Sequence, residues 1–193
     1  VTRGLRVAAG IPPARLGMLT LALGHVVMVS VMVMTPLHMN HGGADLEVIG
    51  FVISIHILGM FAFSPLTGLA VDRFGGRAVA VLGSVILSAA ALLASASPEG
   101  ESLTLLLGLF LLGLGWSCTL VAGSTLLTAA VPAHERPGAQ GASDLLMGLM
   151  AAGGGALAGV VVHQVSFEAL ALAARAVAVS IGLAAALSGA RPE

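Results

Sequence analysis

The chain has 193 residues, 58% hydrophobic and 9% charged, with a mean hydropathy of +1.05. Soluble domains run about 45–50% apolar and about a quarter charged, so a soluble globule of this composition could not cover its surface with polar side chains, and disorder is excluded for the same reason. With eight Arg, no Lys and a net charge of −1, the chain also lacks the basic face of a nucleic-acid binder.

About 20 apolar residues cross a bilayer core of about 30 Å, and six such runs follow one another. Residues 1–15 carry Arg3, Arg6 and Arg15 and read as a cytoplasmic N-terminal segment. The first span runs from Leu16 to Met39, closed by Asn40, Gly42, Gly43 and Asp45. The second runs from Val48 to Val71, with Pro65 predicting a bend, and turns at Asp72, Gly75 and Gly76. The third covers Ala78 to Ser97 and stops at Pro98, Glu99 and Gly100. The fourth, Leu103 to Ala130, is long enough to predict a tilt or kink. Pro132 and Pro137 separate it from the fifth, Ala142 to His163, and the sixth runs from Ala169 to Ser188. Residues 189–193 are left as a cytoplasmic tail. No segment shows the ten-residue alternation of barrel strands, so the fold is all-α: an integral membrane domain of six transmembrane helices over 16–188. Short loops make consecutive helices antiparallel neighbours.

Arginine sets the orientation. Arg3, Arg6, Arg15, Arg73, Arg77, Arg136 and Arg191 all fall on one side of this topology, while the other side carries Asp45, Glu47, Glu99, Glu101 and Glu168. The positive-inside rule then makes this a multi-pass cell-membrane protein with both termini cytoplasmic. Cys118 stands alone, so neither an intrachain disulfide nor a thiolate zinc site forms. No phosphate-binding G-x-x-x-x-G-K-[ST], H-E-x-x-H or G-x-S-x-G occurs, so neither an ATP-driven pump nor an enzyme is expected, and no cofactor.

The turn after the second span reads Gly68-Leu-Ala-Val-Asp72-Arg73-Phe-Gly75-Gly-Arg77. It resembles the signature loop of the major facilitator superfamily, G-x-x-x-D-R-x-G-R-R, with Gly76 in place of one basic residue. The turn before the fifth span, Glu135-Arg136-Pro-Gly-Ala-Gln-Gly141 with Asp144 one turn on, is similar to the E-R-x-x-A-x-G element of the same family. The resemblance implies one six-helix half of a twelve-helix fold, each half built of two inverted three-helix repeats. It implies that Gly68, Asp72, Arg73, Gly75 and Arg77 latch neighbouring helices, the alternative being a turn that only sets topology; by their own chemistry Gly68 allows close helix approach and Asp72 can cap a helix start. Asp144 is then expected to pair with Arg73, Arg77 or Arg136, or else to sit in the helix dipole. Span 4 lacks the Arg and Gln, and span 5 the Gly-Pro pair, of such half-proteins' other version, so the chain reads as the C-terminal half. Residues 1–15 would then end a central linker, and the Val1 start fits a fragment, a processed product or an alternative start.

The function implied is secondary active transport of a small molecule by alternating access, in a proton-coupled efflux mode. The missing six-helix half, or a second copy, would complete the pathway. The alternative is a non-transporting six-helix protein acting through self- or hetero-association. His25 on a Met18, Met28, Met32, Thr35, Met39 face, and His56 on a Gly59, Met60, Phe63, Thr67 face, are expected either to line a central cavity and carry a proton or to pack as core imidazoles. The Met and His residues at the outer end of span 1 read as apolar filler rather than a metal site. Arg175 lies deep in span 6 and is expected to face the cavity, where it would favour anions, or to snorkel outward. Span 5 offers Gly148, Ala152, Gly155, Ala156 and Gly159 as a close-packing face.

Overall fold

The structure, a computed structural model, describes residues 2–100 and 102–188. Glu101, Arg191 and the tail 189–193 lie outside the described residues. The elements are α1 (Thr2–Gly10), α2 (Pro12–His41), α3 (Leu46–Phe61), α4 (Ser64–Phe74), α5 (Gly76–Ser95), α6 (Leu103–Ala130), α7 (Arg136–Gln164) and α8 (Phe167–Leu187). The described residues contain six helical segments long and apolar enough to cross a membrane, with α3 and α4 forming one of them.

Local chemistry places the ends. Pro12 and Pro13 open α2, where a missing N–H costs nothing. Ser102 Oγ accepts from Leu105 N at 3.4 Å at the start of α6, and Ser166 Oγ accepts from Ala169 N at 3.0 Å at the start of α8. Gly75 turns the chain between α4 and α5 at φ +82°, a conformation that penalises any side chain.

Two helices form the centre. α2 and α6 carry the largest buried share, while α7 and the α3–α4 pair are mostly exposed within this chain. Leu21, Val27, Val31, Leu105, Leu109 and Leu112 are fully sealed between the helices. The packing obeys an exchange of the first three spans with the last three. α2 packs on α7 as α6 packs on α3; α5 packs on α6 as α8 packs on α2; the α2–α6 and α5–α8 pairs map onto themselves. That exchange is the signature of two inverted three-helix repeats.

Backbones meet where the sequence supplies glycine. At the α2–α6 crossing a Cβ on Gly17 would lie 2.5 Å from the Gly123 carbonyl oxygen, and one on Gly123 2.8 Å from that of Gly17. Gly59 and Gly113 play the same reciprocal role between α3 and α6. Small residues are how helices associate in a solvent as apolar as their own side chains.

Residues 1–15, expected as a cytoplasmic N-terminal or linker segment, are helical: α1 lies on α7, with Gly4 against the Gly138 carbonyl, and α2 already starts at Pro12. α6 runs as one continuous helix from Leu103 to Ala130. The expected small-residue face of α7 points outward: Gly148 and Gly159 have open space beside them, and Ala152 and Ala156 are exposed. The packed face lies to one side, through Ala151, Gly154 and Ala158, where Gly154 meets Val26 and Ser30 of α2.

Candidate functional site

The second span is broken in its middle. Ala62 N still donates to Leu58 O and Thr67 N to Phe63 O, but the backbone N–H groups of Phe63, Ser64 and Leu66 find no backbone carbonyl between them. Pro65 has no N–H to offer. The bend predicted from Pro65 is thus a full interruption at Ala62 and Phe63, with α4 starting afresh at Ser64 without a side-chain cap. In hydrocarbon each unpaired backbone group costs several kcal/mol, so such a break persists at membrane depth only inside protein or beside water. Phe61, Ala62 and Pro65 are exposed in this chain. One side of the break packs on α6; the flank carrying Phe61, Ala62 and Pro65 meets no helix of this chain and, on energetic grounds, not lipid.

A polar and aromatic cluster sits against it. Trp116, near the middle of α6, donates its indole Nε1–H to His25 Nδ1 at 2.8 Å. With Nδ1 accepting, the imidazole proton resides on Nε2, which has no partner and is not among the buried polar atoms. Phe61, the last residue of α3 and 57% exposed, meets the Trp116 ring edge-on at 5.9 Å. Ser64 Oγ donates to Met60 O at 3.2 Å and lies 3.3 Å from Ser117 Oγ, tying the start of α4 to α6. α2, the α3–α4 break and α6 thus meet at one level.

The two histidines part company. His25 is half-buried and belongs to this cluster. His56 does not line a cavity: it is 1% exposed, wedged between α3 and α6, with Nδ1 donating to Leu109 O at 2.9 Å and Nε2 unpartnered. Gly59 and Thr67 of its expected face are likewise buried, as are Met18, Met28, Thr35 and Met39 of the His25 face. The His25 stripe is core because α2 is flanked by α6, α7 and α8 together, and the His56 stripe because α3 and α4 pack on α6. Arg175 points outward from α8, exposed and without a partner among the described residues, on the side away from α2 and α5. It does not face the cluster. An apolar crevice of about 190 Å³ between α2, α7 and α8 is separate from the cluster too.

The signature turns hold their places but not all their expected bonds. Asp72, Arg73, Gly75 and Arg77 are exposed around the α4–α5 turn. Asp72 caps nothing among the described residues, because the N-cap position of α5 falls to Gly75. Gly68 has open space where a neighbouring helix was expected. Asp144 pairs with no arginine among the described residues; Gln140 Nε2 donates to its Oδ1 at 2.8 Å, and Ser124 Oγ donates to Gln140 Oε1 at 3.3 Å. Arg136 Nε donates to Val131 O at 3.2 Å, and Gly141 is exposed beside it. Glu135 instead receives Arg3 of α1, joining the two. Any latch made by Asp72, Arg73 and Arg77 needs a partner from outside the described residues.

Trp116 and Phe61 are the site residues that the sequence alone did not mark. The available signal was positional: the chain's one Trp falls at mid-span rather than at an interface, where such rings ordinarily sit.

Residues 17–193 match the family model described as Major Facilitator Superfamily. The chain belongs to the major facilitator superfamily. Two proteins of Bacillus subtilis strain 168, the uncharacterized MFS-type transporters YddS and YdeG, are each 40% identical to it over 156 residues. Riboflavin transporter RfnT of Brucella anthropi is 30% identical over 147 residues. These matches cover 81%, 81% and 76% of this chain, but 36% of each relative, so the chain spans little more than a third of their length. Membership and the six apolar helices make it a multi-pass membrane protein of a transporter family.

Proposed function

We propose that this chain forms one wall of a secondary active transporter, its C-terminal half, working by alternating access with a second six-helix unit. The unit is the missing half of a longer chain, or a second copy. The observation that supports this most is the mid-membrane break of α3–α4, whose freed Phe63 and Leu66 N–H groups require water and whose flank is open in this chain. Interrupted helices of this kind are where transporters place their sites. α2 and α6 present His25 and Trp116 at the same level.

His25 is the proton carrier in this proposal. Its Nε2 is the atom open to substrate or water, and protonation at Nδ1 would cost the Trp116 bond, so the proton and the wall geometry are coupled. Export is the direction proposed, on fold-level analogy. Asp72, Arg73, Arg77 and Glu135 stay at the arginine-bearing end, taken as cytoplasmic, where the second unit would complete the latch. A non-transporting scaffold has no use for an opened backbone at bilayer depth.

The test is counterflow in vesicles carrying the assembled transporter, with a panel of small molecules that includes riboflavin, the compound for which one relative is named. The expected result is exchange of at least one compound, with uphill accumulation driven by a pH gradient. His25→Gln should abolish the accumulation and leave downhill exchange. No exchange of any compound contradicts transport, and accumulation unchanged in His25→Gln removes the proton role.

A further inference from the structure

We infer that the substrate surface offered by this chain takes an uncharged planar aromatic compound with polar groups on its rim. The inference rests on the wall proposed above and adds the chemistry of what it recognises.

The wall carries no fixed charge. From Leu16 to Leu37, Val48 to Val71 and Leu103 to Ala130 there is no Asp, Glu or Arg. Arg175 is turned away on α8, and Asp144 lies in the third turn of α7, exposed and held by Gln140. A charged ring buried here would have no counter-ion from any of these three spans, and an isolated ion at bilayer depth is costly. Recognition of a cation by ring faces alone gives about 0.5–2 kcal/mol, too little to offset that loss.

The polar groups that are present come as neutral donors and acceptors. His25 Nε2–H is a free donor. The break adds the Phe63 and Leu66 N–H groups and the carbonyl of exposed Ala62. Such a mixed fringe suits amide, imide or ring-carbonyl edges. Beside it Phe61 stands 57% exposed, its ring held edge-on to Trp116 at 5.9 Å, so its free face is a stacking surface. A sugar or short aliphatic acid would leave that ring surface uncovered.

The chain contains one Trp, so its emission reports on this wall alone. Three compounds share one tricyclic skeleton: acridone is neutral with a C=O and an N–H, proflavine is a cation, and acridine-9-carboxylate is an anion. Each is titrated into the chain in detergent micelles, following Trp116 quenching. Acridone should quench saturably, and Phe61→Leu or His25→Ala should weaken its apparent Kd at least tenfold, while Arg175→Ala leaves it unchanged. Both ions should show only the linear quenching seen with free tryptophan in the same micelles. Saturable, His25-dependent quenching by either ion overturns the inference, and so does acridone quenching that is identical in the wild type and the Phe61→Leu and His25→Ala variants. Labelling of Ala62→Cys by a charged thiol reagent separates the two levels. If Ala62→Cys reacts and acridone fails, the ligand class alone is wrong; if it does not react, the wall itself is misassigned.

Discussion

Replacing Gly17 by Ala tests how tightly the α2–α6 crossing is set. The added Cβ would lie 2.5 Å from the Gly123 carbonyl oxygen and 2.6 Å from Leu127 N, both backbone atoms that no rotamer change can move. Carbon and oxygen rest at about 3.3–3.6 Å, so the two helices must part by about 1 Å at this level. Overpacking of this kind costs about 1–3 kcal/mol. The strain also reaches the candidate site. His25 lies about two turns up the same helix from Gly17 and Trp116 about two turns along α6 from Gly123, and their 2.8 Å bond has no slack for a separation of that size. The assay is unfolding by titrated denaturing detergent, followed by Trp116 emission, with Gly148→Ala as the control because Gly148 has open space around it. Gly17→Ala should lower the midpoint and shift the starting emission as the indole loses its acceptor. Gly148→Ala should stay within about 0.5 kcal/mol of the parent or rise slightly, since alanine is the better helix former. Equal midpoints and equal emission for the two variants would refute the packing argument.

Other consequences are as direct. Acidification should quench Trp116 in a single step as His25 gains its second proton, because imidazolium cannot accept the indole N–H; His25→Gln should erase that step. Ser84→Ala removes the 2.7 Å bond from Ser84 Oγ to Ala178 O across α5 and α8, and should cost about 0.6 kcal/mol, at most about 1.7, in the same unfolding assay. Arg175→Leu should raise membrane-inserted yield without altering Trp116 emission, since an exposed mid-span Arg costs about 2.5–3.5 kcal/mol to insert. Arg3→Ala should cost no more than about 1 kcal/mol, as the Arg3 side chain of the Arg3–Glu135 pair is largely exposed; Gly4→Val, which collides with the Gly138 backbone, should instead free α1 to proteolysis.

The spans were legible because bilayer thickness imposes a length and the arginines fall on alternate turns, both of which survive in a bare sequence. The signature turn was legible too, since Gly75 needs its positive φ whatever packs nearby. What could not be read was which face of each helix is turned inward. In water, polarity marks the outward face; in lipid, Leu149 exposed on α7 and Leu109 buried in α6 are chemically the same. Hence the stripe containing Met28 and Met39 looked like a lining and is core, and Gly148 and Gly159 looked packed and face outward. His56 and His25 were equivalent in sequence and differ because one falls beside Gly59, where α3 touches α6, and the other at the open edge of α2. Pro65 announced a bend, but its full consequence, lost bonds at Phe63 and Leu66 beside Trp116, required the pairing of α3–α4 with α6.

The proposed transport requires that the interrupted second span look onto water in the middle of the membrane. Ala62→Cys in a Cys118→Ala background, set against Leu172→Cys on the exposed face of α8, measures it directly with a membrane-impermeant thiol reagent in intact vesicles. Labelling at position 62 with position 172 silent is the predicted outcome; silence at 62 in a protein with native Trp116 emission, or equal labelling at both positions, would contradict it.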